Sequence, residues 1–206
     1  TITVRGVEEL KLQDYKVIPD RIEAGSYILA TMATKGRLKL NNFNPKDLAL
    51  PLKLFKDMGL KIKKLSNSSY EIYCKTLKPI KKISTKEFPG YPTDLQAQLI
   101  ATQLKSGLKS KVVENIFENR FIHIPELRRF GANLSIKGNT VTIDKTSNLL
   151  GAEVMATDIR ASFSLIIAAM MSKGKTVINR IYHLDRGYED FDLKLKKCGV
   201  NISRKK

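Results

Sequence analysis

The amino-acid sequence predicts an α/β fold made of three repeated βα units, and three observations carry that expectation. Helical periodicity recurs over residues 22–34, 95–105 and 159–172. A glycine closes each stretch (Gly36, Gly107, Gly174), and a strand-like run and a second amphipathic helix follow it. The second helices end at Gly59, Gly131 and Gly199, so the spacings between first and second glycine are 23, 24 and 25 residues. Chance does not readily produce so regular a layout.

The first unit, approximately 1–76, opens on a strand-like 1–4. Its helix over 22–34 is followed by a strand at 37–41, a helix over 45–58 that starts at a proline, and a hairpin over 61–73. The second unit, 77–146, repeats the order with a helix at 95–105, a strand at 111–117, a helix at 125–130 and a hairpin at 133–143. The third, 147–206, has a helix at 159–172, a strand at 176–182, a helix at 188–198 and a final strand at 200–204. Asp20, Asp94 and Asp158 stand 16, 13 and 16 residues before the closing glycines, where aspartate serves as an N-cap. Asp20 with Glu23 even has the spacing of a capping box.

Composition narrows the class. The chain has 206 residues, 42% of them hydrophobic, which argues against disorder and supplies a sizeable core. Two cysteines, Cys74 and Cys198, cannot staple a domain of this size and suit a reduced cytosol. Cys198 stands where the other units have Met58 and Phe130, so both cysteines are expected to be structural. The longest apolar run, 161–171, is too short for a membrane span, and no secretory leader opens the sequence; the expected location is the cytoplasm. The net charge of +17 suggests nucleic acid, but 27 of the 37 basic residues are lysines scattered through every segment. Aromatics are 7% and Trp is absent, so no stacking platform is visible. Acidic small molecules account for the charge equally well. His123 and His183 lie 60 residues apart without cysteine neighbours, so no metal site is expected. Gly174-Lys175-Thr176 ends like a phosphate-binding loop, but Ala169 stands at its first required glycine and the order is helix to strand.

Geometry singles out one rim. A 13-residue helix runs about 20 Å, and a seven-residue strand returning beside it covers about 23 Å. Helix start and strand end therefore meet at the same level. This places Asp94 near Arg120, and Asp158 and Arg160 near Arg186, with three helix N-termini facing the same way.

Five stretches carry a specific resemblance: YKVIPDRIEAG (15–25), FPGYPTDLQAQ (88–98), IFENRFIHIPEL (116–127), GAEVMATDIRAS (151–162) and RIYHLDRGYE (180–189). In this order they resemble the C-terminal half of the UDP-N-acetylglucosamine 1-carboxyvinyltransferase family of enolpyruvyl transferases. The resemblance implies an inside-out α/β barrel of two lobes, each with three units about a pseudo-threefold axis, of which this chain is one lobe. It implies that the N-terminal lobe is absent from these residues, together with a short N-terminal crossover segment, so that one unit keeps an unpaired edge. The implied reaction transfers the enolpyruvyl group of phosphoenolpyruvate to the 3-hydroxyl of UDP-N-acetylglucosamine with loss of phosphate. It needs no cofactor or metal, nucleic acid or membrane.

By the same resemblance Asp94 matches the carboxylate at the sugar hydroxyl, and Asp158 matches a second catalytic carboxylate. Arg120, Arg160 and Arg186 match arginines lining the cleft, Arg186 being the choice for phosphoenolpyruvate. Ile116 matches a contact to the UDP-sugar, and Arg21 is either a rim residue or a structural ion-pair partner. The family's loop cysteine or aspartate, and a lysine that grips phosphoenolpyruvate, belong to the other lobe, so this chain by itself is expected to be inactive. Phe163 and Ala169 depart from the family pattern on a buried helix face. Two other readings stand beside this one: the sister enzyme 5-enolpyruvylshikimate-3-phosphate synthase, and an RNA-phosphate-binding protein of the related RNA 3′-terminal cyclase fold.

Overall fold

The computed structural model describes residues 1–205. After an irregular, exposed leading segment, Asp20 caps α1 (Arg21–Ala33), its carboxylate accepting from the Ile22 and Glu23 amides. β1 (Arg37–Leu40), a 3-10 turn (Pro45–Leu48), α2 (Ala49–Asp57) and the hairpin β2 (Lys61–Lys64) and β3 (Tyr70–Tyr73) follow. The middle of the chain forms β4 (Lys82–Ser84), a 3-10 turn (Thr93–Leu95), α3 (Gln96–Gln103), β5 (Ser110–Val113) and α4 (Ile124–Arg129). The hairpin β6 (Leu134–Lys137) and β7 (Thr140–Ile143) completes it. The last part holds β8 (Glu153–Met155), α5 (Ser162–Met171), β9 (Val177–Asn179), α6 (Tyr182–Asp185) and α7 (Phe191–Lys197).

Three sheets surround a helical centre. Their strand orders are β1-β3-β2, β4-β5-β7-β6 and β8-β9, with β4–β5 and β8–β9 parallel and the other pairs antiparallel. α1, α3 and α5 pack on one another in the middle. Each is buried over most of its circumference, as expected of a helix enclosed by other elements. Close approach is built in at Gly25, where a Cβ would stand 2.6 Å from Leu95 Cδ1. Three buried hydroxyls on these helices, those of Ser26, Thr31 and Thr102, each donate to the carbonyl four residues back.

Several expectations are corrected. Residues 1–4 and 200–204 form no strand, while β4, β8 and α6 are present without having been expected. The strand expected at 111–117 stops at Val113 because the Glu114 carboxylate takes the Ile116 and Phe117 amides out of the ladder. The left-handed residue after α1 is Lys35 (φ 53), not Gly36. Glu23 does not complete a capping box; its carboxylate takes Lys194 Nζ at 2.7 Å. Cys74 is buried as expected, and burial pushes its thiol up, away from reactivity. Cys198 is exposed, unlike Met58 and Phe130 at the same place in the other units, and among the described residues no strand follows it. Among the described residues there are two incomplete units instead of one: β5 has partners on both sides, whereas β1 lacks the parallel strand and β9 the antiparallel one.

Candidate active site

Asp94 lies in the 3-10 turn that leads into α3 and is the one aspartate of the three whose carboxylate takes no backbone amide. Its Oδ1 instead accepts from Arg120 Nη2 at 2.9 Å, and its Oδ2 has no partner among the described residues. Arg120 arrives on the loop after β5, with its guanidinium 5.0 Å from the Phe117 ring centroid. Ile116, half-buried on the same loop, has its amide on Glu114 Oε1 at 2.8 Å. His123 follows, fully buried with neither ring nitrogen hydrogen-bonded among the described residues. Burial and the neighbouring Arg120 charge lower its pKa to about 3, so the imidazole is neutral.

The other side of the rim is assembled from two ends of the chain. Asp158 folds back on its own turn, Oδ1 accepting from the Arg160 and Ala161 amides at 2.8 and 2.6 Å, while Ala161 holds the N-cap position of α5. The Arg160 guanidinium reaches Asp20 Oδ2 at 3.2 Å and the Gly187 carbonyl at 3.2 Å. It also lies 5.4 Å from the Tyr188 ring centroid. Burial pulls the Arg160 pKa down, but Tyr188 and Asp20 outweigh it and the net shift is upward, so the charge is secure. Arg160 and exposed Arg186 line one cavity of about 680 Å³, with Asp20, Tyr188 and Arg204 also on its wall. Arg186 has no hydrogen-bond or ion-pair partner among the described residues, so its charge is free for a ligand. Arg21 forms no ion pair among the described residues; its guanidinium stacks 5.4 Å from the Phe88 ring centroid.

One side chain joins the two sides. Gln98 Nε2 lies 2.9 Å from the Asp94 carbonyl and 3.1 Å from both the Ser26 and Tyr188 hydroxyls. Ser26 and Tyr188 are themselves 2.8 Å apart. Asp94 and the Arg160 cavity therefore belong to the same end of the three central helices. Chemically, such a rim offers two carboxylates for proton transfer and several fixed cations for anionic groups.

Sequence reasoning overlooked Tyr188, Gln98 and Glu114. Tyr188 stands where the spacing starts a helix; its ring stacks on Phe163 at 4.6 Å, which gives that departure from the family pattern a packing role. Glu114 carried a usable signal, a lone acidic residue ending an alternating strand. Its burial (2% exposed) could not be read from spacing.

A family profile described as EPSP synthase (3-phosphoshikimate 1-carboxyvinyltransferase) matches residues 1–195. Two curated relatives are named UDP-N-acetylglucosamine 1-carboxyvinyltransferase. The one from Pelagibacter ubique is 50% identical over 206 residues, 99% of this chain and 49% of the relative. The one from Campylobacter hominis is 46% identical over 204 residues, 99% of this chain and 48% of the relative. The chain thus spans about half the length of the curated relatives it matches. Among solved structures, the enolpyruvyl transferase NikO from Streptomyces tendae matches with TM-score 0.80 and 26% identity, covering 91% of this chain and 44% of its own. EPSP synthase from Acinetobacter baumannii shares the fold at TM-score 0.67 and 14% identity, over 90% of this chain and 46% of its own.

Proposed function

The chain belongs to the EPSP synthase family of carboxyvinyl transferases, and from that premise we propose that it is one lobe of a two-lobed UDP-N-acetylglucosamine 1-carboxyvinyltransferase. Its units, near 1–76, 77–146 and 147–206, close against a second lobe of the same enzyme, and the substrates bind between them. The reaction is the first committed step of peptidoglycan synthesis, carried out in the cytoplasm and serving cell-wall growth, cell shape and division. The relatives near 50% identity support UDP-N-acetylglucosamine over shikimate phosphate as the acceptor, since the synthase structure is only 14% identical. No helix among the described residues is long and apolar enough to cross a membrane.

The single observation that carries the mechanism is the contact of Arg120 with Asp94 Oδ1, which leaves the other carboxylate oxygen open. Asp94, placed by Arg120 with Oδ2 left open, accepts the proton of the sugar 3-hydroxyl as its oxygen bonds to C2 of phosphoenolpyruvate. In the same addition C3 gains a proton from a general acid of the second lobe, which takes a C3 proton back when phosphate leaves. Asp158, fixed by two amides through Oδ1, is the carboxylate that stabilises positive character at C2 and assists movement of the C3 proton. Phosphate then leaves C2 with the C2–O bond electrons as the C3 proton is lost, restoring the enol double bond. Arg186 and Arg160 hold the phosphate and carboxylate charges, and Arg120, Ile116 and Arg21 line the sugar-nucleotide side. The test is turnover by the complete two-lobed chain: inorganic phosphate released only when both substrates are present, and none from residues 1–206 alone. Phosphate release with shikimate 3-phosphate in place of the sugar nucleotide would sink the assignment.

A further inference from the structure

Glu114 is a carboxylate with 2% exposure and no ion-pair partner among the described residues. A buried charge of this kind persists only when its lone pairs are filled. Here four donors fill them. Oε1 accepts from the Thr85 hydroxyl at 2.8 Å and from the Ile116 and Phe117 amides at 2.8 and 3.2 Å. Oε2 accepts from the Thr93 hydroxyl at 2.8 Å. The donors come from three separate segments: the end of β4, the turn that carries Asp94, and the loop that carries Ile116 and Arg120. Thr85 adds a second tie by accepting from the Asn115 amide at 2.8 Å.

These contacts close a ring. From Glu114 one path runs through Thr93 to its neighbour Asp94, and from Asp94 Oδ1 to Arg120. The other runs through the Phe117 amide to the Phe117 ring, over which Arg120 lies. Arg120 and Asp94 are partly exposed, with side chains 22% and 41% accessible, so their pairing alone is a weak restraint. The buried, fully hydrogen-bonded carboxylate beneath them is a strong one. We propose that Glu114 is a positioning residue that sets Asp94 and the Ile116–Arg120 loop at one mutual distance, and so determines the fit of the sugar nucleotide without touching it.

This inference rests on the functional reading above, which assigns that side of the rim to the sugar nucleotide. It predicts a split between substrates. In the complete two-lobed chain, Glu114→Gln keeps the shape and two acceptor sites but turns an amide toward Thr93. The expected result is a KM for UDP-N-acetylglucosamine raised about tenfold, with the KM for phosphoenolpyruvate within about twofold of wild type. Thr93→Val, an isosteric change that removes only the Oε2 contact, is expected to raise the same KM about threefold and no other. It keeps the test decisive if the Glu114 variant folds poorly. Unchanged KM values for both substrates, an equal rise in both, or a fall in kcat alone would show a merely structural carboxylate and overturn the proposal. A wild-type chain without transferase activity would overturn the functional reading itself, and this inference with it.

Discussion

On one side of the rim, Asp94 meets Arg120 from 26 residues away, within a single unit and over a buried carboxylate from the same unit. On the other, Arg160 reaches Asp20 across 140 residues, while Tyr188 reaches Ser26 across 162 and Gln98 across 90. The first side is a local construction whose parts are delivered together by one turn–helix–strand–loop sequence. The second exists only when the three central helices are docked, because its hydrogen bonds join different repeats. The difference separates two kinds of fragility. A change on the Asp94 side should damage chemistry while leaving the assembly intact, whereas a change on the Tyr188 side should loosen the assembly itself.

The largest expected effect tests the first half of that contrast. Asp94→Asn in the complete chain should lower turnover by about 10²- to 10⁴-fold, the usual worth of a positioned base, with an unfolding midpoint close to wild type. A large loss of stability would mean that Asp94 is structural. The pH dependence of stability comes next, through His123. Its folded pKa, near 3, lies below the ordinary 6.5, so between those values the unfolded chain binds more protons. Stability is therefore full above pH 6.5 and falls on acidification, by up to about 1.4 kcal/mol per pH unit. Denaturation curves at pH 7 and 5 should converge in His123→Leu, and an unchanged pH slope would remove His123 from this account.

Tyr188→Phe measures the second half. It keeps the ring against Phe163 and Arg160 but orphans the Ser26 and Gln98 contacts, an expected loss of about 1–3 kcal/mol in chemical denaturation. A double-mutant cycle with Ser26→Ala should show coupling, and simple additivity would break the picture of a shared network. The smallest effect belongs to Asp20→Asn, which preserves the cap and removes only the charge facing Arg160. With side chains 40% and 22% accessible, that pair is expected to contribute less than about 1 kcal/mol and to fade in high salt.

The repeat itself was legible because each unit carries its own punctuation. Gly59, Gly131 and Gly199 all take positive φ, as a residue closing a helix does, and their spacing alone outlined three units. The Asp94–Arg120 approach was legible for the same reason, as an outcome of helix and strand rise within one unit. The three aspartates were not equally readable. Asp20 behaves as the cap its position suggests, Asp158 satisfies amides of its own turn, and Asp94 does neither. Spacing to the closing glycine sets Asp94 apart, at 13 residues against 16, but what each carboxylate holds is decided by the neighbours brought by folding.

Glycine punctuation, helical and strand period and short-range geometry were thus set by the chain's own order, because each depends on backbone stereochemistry within a few tens of residues. Burial of Glu114, exposure of Cys198, the reach of Arg160 to Asp20 and the meeting of Ser26, Gln98 and Tyr188 were decided by tertiary structure. Each of those depends on which surfaces face one another after three similar units close around their helices. A linear pattern repeated three times does not specify which copy of a residue meets which.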